Sequence, residues 1–275
     1  MSKDRVNIKP SDHPLKQPVL LLLFLLALLG AQTAHAALHW EDLGHGLSIA
    51  HIACHASTKV TLLRIDPAQY TFVLGHSPSP TEAKTLSSWL FDDDLSAAIN
   101  ASMYQQDGKT STGYLRYGTI VNNPRLASRF GAFFVANPDI PNLPSVTILE
   151  GDPRSLAETL RHYQLVIQNY RLLTRTHKIL WPSTGDKHAI AAVGIDRHGF
   201  VLFIYCQSPI RPYDLAACLI ESYQDIRTTM YVEGGSEAGL IYRDQANNPQ
   251  SLFAYFEPII PNIIGIRAKK PNTAE

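Results

Sequence analysis

The stretch TMYVEGGSEAGL, residues 229–240, holds the residues best suited to chemistry. A β-rich run ends there in Glu233, and Gly234, Gly235 and Ser236 follow at once. Glycines lack a Cβ atom, so the backbone can turn sharply and approach a ligand closely. Successive N–H groups in such a turn can form a concavity that binds an anion. The Glu233 carboxylate would then lie beside a bound anion; the alternative is a plain turn between strands with a solvated glutamate.

Strands predominate among the elements that must position this turn. The segment AIAAVGIDRHGFVLFIYC predicts a hairpin of two apolar strands around the turn at residues 196–199. Three helices are predicted: one that Thr81 caps and that ends near Leu90, one that begins at Asp152, and an amphipathic one over residues 212–223. The pattern predicts an α+β fold, a single domain with a mixed, strand-rich curved sheet and about three helices.

The N-terminal segment is typical of a secretory signal. Basic residues precede an unbroken apolar run, Val19–Leu29, and Ala34 and Ala36 follow in the A-x-A arrangement that signal peptidases accept. A run of about 11 residues is shorter than the roughly 20 needed to span a bilayer. We therefore predict that residues 1–36 form a cleaved signal peptide and that residues 37–275 form one periplasmic or secreted domain. The alternative is an uncleaved inner-membrane anchor.

Composition limits the classes of function. Hydrophobic residues make up 45% of the chain and charged residues 17%, which suits a folded core and argues against intrinsic disorder. The formal net charge is +0 and no long basic patch occurs, so we expect no nucleic-acid partner. No segment has the ligand spacing of a zinc or calcium site, and the sequence predicts neither a metal nor a cofactor.

Three cysteines, Cys54, Cys206 and Cys218, bear on the redox compartment. In an oxidising compartment two of them can pair and one stays free. Cys206 ends a predicted strand and Cys218 lies on the helix that follows, so these two side chains could meet. The alternative is that all three are small buried hydrophobic residues.

The order of several segments resembles that of the phosphodiester glycosidase family. The similarity runs from about Trp40 to Arg267, through RIDPAQYTF, AINASMY, STGYLRYGTIVNN, IQNYRLL, AVGIDRHGFVLFI and MYVEGGSEAGL. The last segment stands where the family has an apolar pair, Asp-Gly-Gly and a serine or small residue. IQNYRLL stands where the family has Gln-Ser-Gly-Pro and an apolar pair. The order and spacing of these motifs together are more specific than any one of them.

The resemblance implies a site built around Glu233 as catalytic base or nucleophile. Glycoside cleavage passes through an oxocarbenium-like state that carboxylates assist. A phosphate leaving group is a weak base, which reduces the need for a general acid. The resemblance further implies an anion site at the turn, two amide side chains for sugar hydroxyls or phosphate, and an arginine paired with phosphate. These residues are Gly234, Gly235, Ser236, Asn100, Gln168 and Arg171.

Three of the binding residues also have a structural interpretation. Asn100 could satisfy a turn backbone, Gln168 could lie on the outer face of a half-buried strand, and Arg171 could be a surface residue. The sequence also departs from the family pattern. Glu233 replaces the family's aspartate, and its extra methylene displaces the carboxylate. A displacement of about 1 Å can cost a large factor in rate. Ile190 stands where the family often has an arginine, a charge that Arg171 could replace from a neighbouring strand.

The implied function is that of an extracytoplasmic hydrolase that cleaves the sugar–phosphate bond of a sugar-1-phosphodiester in envelope or exopolysaccharide material. Its partner would be a carbohydrate or phosphoglycan substrate, and no membrane span would remain after signal cleavage. The alternative is a catalytically inactive envelope protein of the same fold that binds glycans or phosphoglycans. The Glu233 side chain discriminates between them, since a carboxylate that faces a pocket favours the enzyme.

Overall fold

The structure is a computed structural model that describes residues 38–54 and 58–270. The predicted signal peptide, residues 1–36, lies outside the described residues. Within the described ranges, no helix combines the length and the apolar character needed to cross a membrane.

Strands account for most of the regular structure, together with three α-helices in the described ranges. The helices are α1 (Leu86–Asp92), α2 (Pro153–Arg161) and α3 (Pro212–Ser222). The strands are β1 (Glu41–Gly44), β2 (Leu47–Cys54), β3 (Thr58–Ile65), β4 (Tyr70–His76), β5 (Lys84–Thr85), β6 (Ala97–Asn100), β7 (Leu115–Tyr117), β8 (Ile120–Asn123), β9 (Ala132–Pro138), β10 (Val146–Glu150), β11 (Tyr163–Asn169), β12 (Arg171–Leu173), β13 (His188–Asp196), β14 (Val201–Ile210), β15 (Ile226–Gly234), β16 (Gly239–Arg243), β17 (Pro249–Phe253), β18 (Ile259–Ile260) and β19 (Asn262–Ala268). The predicted α+β class is confirmed.

The largest sheet contains the predicted hairpin. Its seven strands run in the order β1-β2-β3-β14-β13-β15-β12, and β13 pairs with β14 as an antiparallel hairpin. Asp196 closes the hairpin turn, because its Oδ1 accepts hydrogen bonds of 2.9 Å from the backbone amides of His198 and Phe200. Its Oδ2 accepts a third bond, of 2.7 Å, from the Tyr223 hydroxyl. Asp196 is therefore a turn residue, as predicted.

Two five-stranded sheets and a two-stranded sheet complete the fold. Their orders are β10-β9-β11-β7-β8, β17-β16-β6-β19-β4 and β18-β5. Every strand pairing among the described residues is antiparallel, so the sheets differ from the single mixed sheet that we expected. Consecutive strands joined by a tight turn, such as β13 and β14, pair antiparallel by geometry. Strands distant in the sequence, such as β3 and β14, also pair antiparallel, and that arrangement depends on tertiary contacts.

The core lies between the three large sheets. One buried cluster joins Leu63 of the seven-stranded sheet, Phe134 of one five-stranded sheet and Ile99 of the other. A second cluster includes Leu62 and Leu215, so it packs helix α3 onto the seven-stranded sheet. Successive residues of a strand point to opposite faces. The alternation of Leu62 and Leu63 therefore places the sheet between helix α3 and the main core.

Helix α2 begins as predicted, whereas α1 begins later than predicted. Asp152 caps α2 by accepting a 2.8 Å hydrogen bond from the Arg154 amide. The cap of α1 is Thr85, not Thr81, and its hydroxyl accepts a bond of 3.2 Å from the Ser88 amide. Thr81 lies in a separate 3-10 turn, Pro80–Glu82, because the residues after it extend to form β5.

A disulfide joins Cys54 to Cys218, with Cα atoms 5.6 Å apart. The expected pairing of Cys206 with Cys218 is therefore wrong, and Cys206 is a free, buried cysteine. The reason is the packing of α3, which crosses onto β2 and brings Cys218 to the end of that strand. Cys206 lies within the β14 ladder, where its thiol contacts the Ser208 carbonyl at 3.3 Å.

Candidate active site

Glu233 lies near the end of β15, a strand with β13 on one side and β12 on the other. The ladder to β13 contains an irregularity at this point. Ala192 pairs with Tyr231 and Ala191 pairs with Glu233, so Val232 is an extra residue on β15. A β-bulge of this kind bends the strand and re-aims the side chains that follow it, and bulges are common beside active sites.

The Glu233 carboxylate is buried rather than solvated. Only 8% of the residue is exposed, and Oε1 accepts a 2.9 Å hydrogen bond from the Gly234 amide. Burial raises the pKa of Glu233 to about 7, with a smaller contribution from the Glu237 carboxylate and a partial opposition from the Gly234 amide. A carboxyl that titrates near neutral pH can both take up and release a proton. The interpretation as a solvated turn residue therefore does not describe this glutamate.

The glycine turn is tightly packed. The residues Gly235–Glu237 form a 3-10 turn, and Gly235 has a positive φ of 76°. A Cβ atom on Gly234 would collide with the Tyr231 hydroxyl and would lie 2.5 Å from Cδ2 of His188. The backbone therefore approaches these side chains as closely as only glycine allows. The Gly234 amide bonds to Glu233, and the exposed Ser236 hydroxyl donates a 3.4 Å bond to Glu237 Oε1. An anion at this turn would therefore take the place of Glu237 as the acceptor for Ser236.

Asn100 forms hydrogen bonds with the backbone of this turn. It ends β6, it is fully buried, and its Nδ2 donates a 2.9 Å bond to the Glu237 carbonyl. Its Oδ1 accepts a 2.8 Å bond from the Gly239 amide. The structure therefore brings Asn100 to the Glu233 turn, where it holds the backbone after the carboxylate.

Gln168 occupies a different place from Asn100. It lies on β11 in a five-stranded sheet and is fully buried. Its Nε2 donates bonds of 2.7 Å to the carbonyls of Ala127 and Phe130, and its Oε1 accepts from the amides of Tyr114 and Ala127. These four bonds use the whole hydrogen-bonding capacity of the amide. Gln168 therefore fixes the loop before β9, and its side chain has no bond left for a substrate.

Arg171 is on the strand next to Glu233. It begins β12 and pairs with Met230 of β15, so the predicted cation does come from a neighbouring strand. Its guanidinium lies against Gly131 and faces a cavity. The structure thus brings Asn100 to the Glu233 turn, whereas the Arg171 guanidinium lies beside Gly131, next to the Phe130 carbonyl that Gln168 binds.

Two further side chains belong to the site but were missed in the sequence. Burial raises the pKa of Tyr104, and the carboxylates of Glu237 and Glu233 raise it further, which places this hydroxyl beside both acids. Glu237 supplies a second carboxylate, and glycoside cleavage usually employs two. Glu237 was visible as the second acid of the motif EGGSE, four residues after Glu233. Tyr104 ends the segment AINASMY, but nothing in that segment indicates that its hydroxyl lies beside acids more than 100 residues away.

A histidine–tyrosine pair packs against the other side of the turn. His188 Nε2 and the Tyr231 hydroxyl are joined by a 3.1 Å hydrogen bond. Burial lowers the pKa of His188, so the ring is neutral at neutral pH. Burial raises the pKa of Tyr231, and the nearby Glu233 charge adds to this effect.

Among residues 38–54 and 58–270, no three His, Cys, Asp or Glu side chains are grouped to hold a metal ion.

The raised pKa of Glu233 predicts a pH-dependent stability. The unfolded carboxyl loses its proton near pH 4.5, whereas the folded one keeps it to about pH 7. The stabilisation is therefore complete below about pH 4.5 and is lost as the pH rises through about 7. We expect Glu233→Gln to gain stability relative to the wild type by about 3 kcal/mol between about pH 4 and about pH 8. Urea unfolding of both proteins across this range measures the difference, and a difference independent of pH would contradict the burial argument.

Comparison with known proteins bears on the family and on the fold. Residues 93–267 match the sequence profile of the phosphodiester glycosidase family. The catalytic domain of zebrafish N-acetylglucosamine-1-phosphodiester alpha-N-acetylglucosaminidase, auto-inhibited by its pro-peptide, is similar with a TM-score of 0.60 and 10% identity over 86% of each chain. A hypothetical protein from Synechocystis has a TM-score of 0.58 and 11% identity, over 86% of this chain and 64% of that one.

A third solved structure, from Burkholderia pseudomallei K96243, is of a protein predicted to be exported. It has a TM-score of 0.51 and 8% identity, over 76% of this chain and 74% of that one. No curated protein matches the chain. The profile match defines the class of protein, a glycosidase-type hydrolase with a carbohydrate substrate. Since the profile covers more than half of the sequence, the chain belongs to the phosphodiester glycosidase family.

Proposed function

We propose that the protein is an extracytoplasmic hydrolase that cleaves the sugar–phosphate bond of a sugar-1-phosphodiester in envelope or exopolysaccharide material. The observation that carries the proposal is the buried Glu233 carboxyl, whose pKa is about 7, at a glycine turn in a chain of this family. A carboxyl with this pKa changes its protonation state easily near neutral pH.

The bond that breaks joins the anomeric carbon to a phosphate oxygen. Its electron pair leaves with the phosphate monoester, and the carbon develops oxocarbenium character. Ionised Glu233 acts as the base that takes a proton from water, whose oxygen forms the new bond to the carbon, or as the nucleophile that first occupies that carbon. Glu237 is the second carboxylate available to stabilise the positive charge.

The leaving phosphate is held by groups around the turn. The Gly235 amide and the Ser236 hydroxyl offer hydrogen bonds to an anion, and the Arg171 guanidinium offers a planar pair of donors. Asn100 acts through the backbone, because its bonds to Glu237 and Gly239 fix the position of the turn. Gln168 contributes from further away by fixing the loop at residues 127–130.

The Cys54–Cys218 disulfide supports a location outside the cytoplasm. Disulfides persist in oxidising compartments such as the periplasm and the extracellular space, and they are rare in the cytosol. The similarity to a Burkholderia protein predicted to be exported points the same way. The predicted signal at residues 1–36 would supply the route of export.

The direct test is the release of N-acetylglucosamine from an N-acetylglucosamine-1-phosphodiester by the purified protein. We expect turnover that follows the ionisation of Glu233 and rises as the pH passes through about 7. An array of other sugar-1-phosphodiesters defines the sugar if this one is not hydrolysed. A folded protein that hydrolyses none of them but binds glycans would be the inactive binding protein instead.

A further inference from the structure

The His188–Tyr231 pair lies against the turn that carries Glu233. His188 begins β13, and Tyr231 lies on the neighbouring strand β15. A hydrogen bond of 3.1 Å joins Nε2 of the imidazole to the tyrosine hydroxyl. Neither side chain takes part in the hydrolysis as proposed above, although both are held close to its central carboxylate.

The bulge on β15 places this pair and the carboxylate on opposite faces of the sheet. Gly234 pairs with Ile190, which lies with Tyr231 in the buried cluster under helix α3. Glu233 pairs with Ala191, which lies in the main core cluster. Residues directly opposite each other on neighbouring strands share a face of the sheet. Tyr231 and Gly234 therefore face α3, whereas Glu233 faces the other way.

The His188–Tyr231 pair occupies the space that a side chain at Gly234 would need. A Cβ atom there would collide with the Tyr231 hydroxyl and would lie 2.5 Å from Cδ2 and 2.8 Å from Nε2 of His188. The hydroxyl and the imidazole therefore contact the Gly234 backbone directly. On its other side, the Gly234 amide donates a 2.9 Å hydrogen bond to Oε1 of Glu233. The pair thus fixes the residue whose amide holds the carboxylate.

The Gly234 amide affects how easily Glu233 ionises. A hydrogen bond to a carboxylate favours its charged form. The amide accordingly opposes part of the rise that burial causes in the pKa of Glu233. If the amide could turn away from Oε1, the charged carboxylate would stay buried without this donor, which costs free energy. The position of Gly234 therefore influences the fraction of Glu233 that is ionised at neutral pH.

The pair acts on the carboxyl through the backbone and not through a charge. Burial lowers the pKa of His188, and the Asp186 carboxylate opposes this only in part, so the imidazole is neutral at neutral pH. The other titratable groups close to Glu233 are Glu237 on the turn and Tyr104 on the segment after β6. Glu237 acts on the Glu233 carboxyl by its charge, whereas the pair adds none.

We propose that His188 and Tyr231 are positioning residues for Glu233, which hold the Gly234 amide against the carboxylate and so favour its ionised form. Neither residue touches the substrate. The catalytic use of the ionised form rests on the proposed function, whereas the positioning of the carboxylate does not.

Tyr231→Phe tests the proposal, because it removes the hydroxyl and keeps the ring. Urea unfolding of this variant with and without Glu233→Gln, from about pH 4 to about pH 9, gives the pH at which folded Glu233 loses its proton. We expect this pH to rise by about one unit from the wild-type value of about 7. His188→Leu should act in the same way. His188→Gln should stay close to the wild type, because its amide can still hydrogen-bond to the Tyr231 hydroxyl.

Hydrolysis of an N-acetylglucosamine-1-phosphodiester gives a separate measurement. A rise of about one unit reduces the ionised fraction of Glu233 at about pH 7 from about one half to about one tenth. We therefore expect Tyr231→Phe to lower kcat about fivefold at about pH 7 and hardly at all at about pH 9, with KM little changed. A loss that is equal at every pH would indicate a merely structural role and would contradict the proposal.

Tyr163→Phe is the matched control. Tyr163 is 1% exposed, its hydroxyl has no hydrogen-bond partner among the described residues, and it lies on β11 in another sheet. The proposal is overturned if Tyr231→Phe leaves the ionisation of Glu233 unchanged, or if Tyr163→Phe shifts it as far. A shift seen by unfolding in a protein without turnover would keep the positioning role and remove the hydrolase. Turnover with an unshifted pH profile in Tyr231→Phe would keep the hydrolase and remove the positioning role.

Discussion

Glu233→Gln is expected to lower kcat for sugar-1-phosphodiester hydrolysis by about 10³-fold, within the range that a positioned acid or base supplies. The amide has nearly the shape of the carboxyl, so the bulge and the glycine turn stay in place. It can neither take a proton nor attack the anomeric carbon. Initial rates of sugar release at saturating substrate measure the effect, with KM changing less than kcat because the turn still binds the phosphate.

Two further substitutions make this result specific. Glu158→Gln removes an exposed carboxylate on α2 and should leave kcat unchanged. Glu233→Asp keeps the charge but withdraws it by one methylene, so it should keep more activity than Glu233→Gln and show how far position matters. A Glu233→Gln protein that retains full activity would leave the family assignment in place and would shift the catalytic role to another carboxylate, of which Glu237 is the first to test.

Loss of the disulfide is expected to have the largest effect on stability. The double substitution Cys54→Ser and Cys218→Ser opens a covalent loop whose ends are 164 residues apart in the sequence. Loop-closure entropy predicts that the free energy of unfolding falls by about 5 kcal/mol, because the unfolded chain regains the freedom that the bridge removes. Denaturant unfolding of the oxidised wild type and the variant measures the loss.

Cys206→Ala provides the comparison for that experiment. This thiol is buried but unpaired, so its removal should cost about 1 kcal/mol and leave the bridge intact. Addition of a reductant should bring the wild type close to the double variant. If the double variant were as stable as Cys206→Ala, the result would contradict the prediction that the disulfide stabilises the protein by restricting the unfolded chain.

Much of the fold could be predicted because its signals are local. The hairpin around Asp196 and the Asp152 cap depend on residues within a few positions of one another, and both appear as predicted. Thr81 was a plausible cap by the same local rule. Thr81 instead lies in a 3-10 turn, because the residues that follow it adopt an extended conformation and pair as β5 with β18. That pairing joins segments far apart in sequence.

The candidate site has a local sequence signal at its centre and none around it. The Glu233 turn has a local signature, whereas the role of Asn100 comes from bonds to residues 137 and 139 positions away. Gln168 was assigned to the substrate on the family resemblance. Nothing in its sequence neighbourhood reveals that a backbone carbonyl 41 positions distant binds its amide. The bulge at Val232 and the packing of α3 on β2, which decides the cysteine pairing, are likewise products of tertiary contacts.

The bridge between Cys54 and Cys218 also makes a ring of most of the domain. Asn100 and Arg171 lie inside this ring, whereas Glu233 lies on the tail that leaves it. A single cut by a protease in an exposed loop of the ring, such as residues 182–187, opens the ring without separating the pieces. The two fragments stay one covalent molecule as long as the bridge is oxidised. In a compartment rich in proteases, the protein can therefore be nicked there and still keep the strands of the candidate active site together.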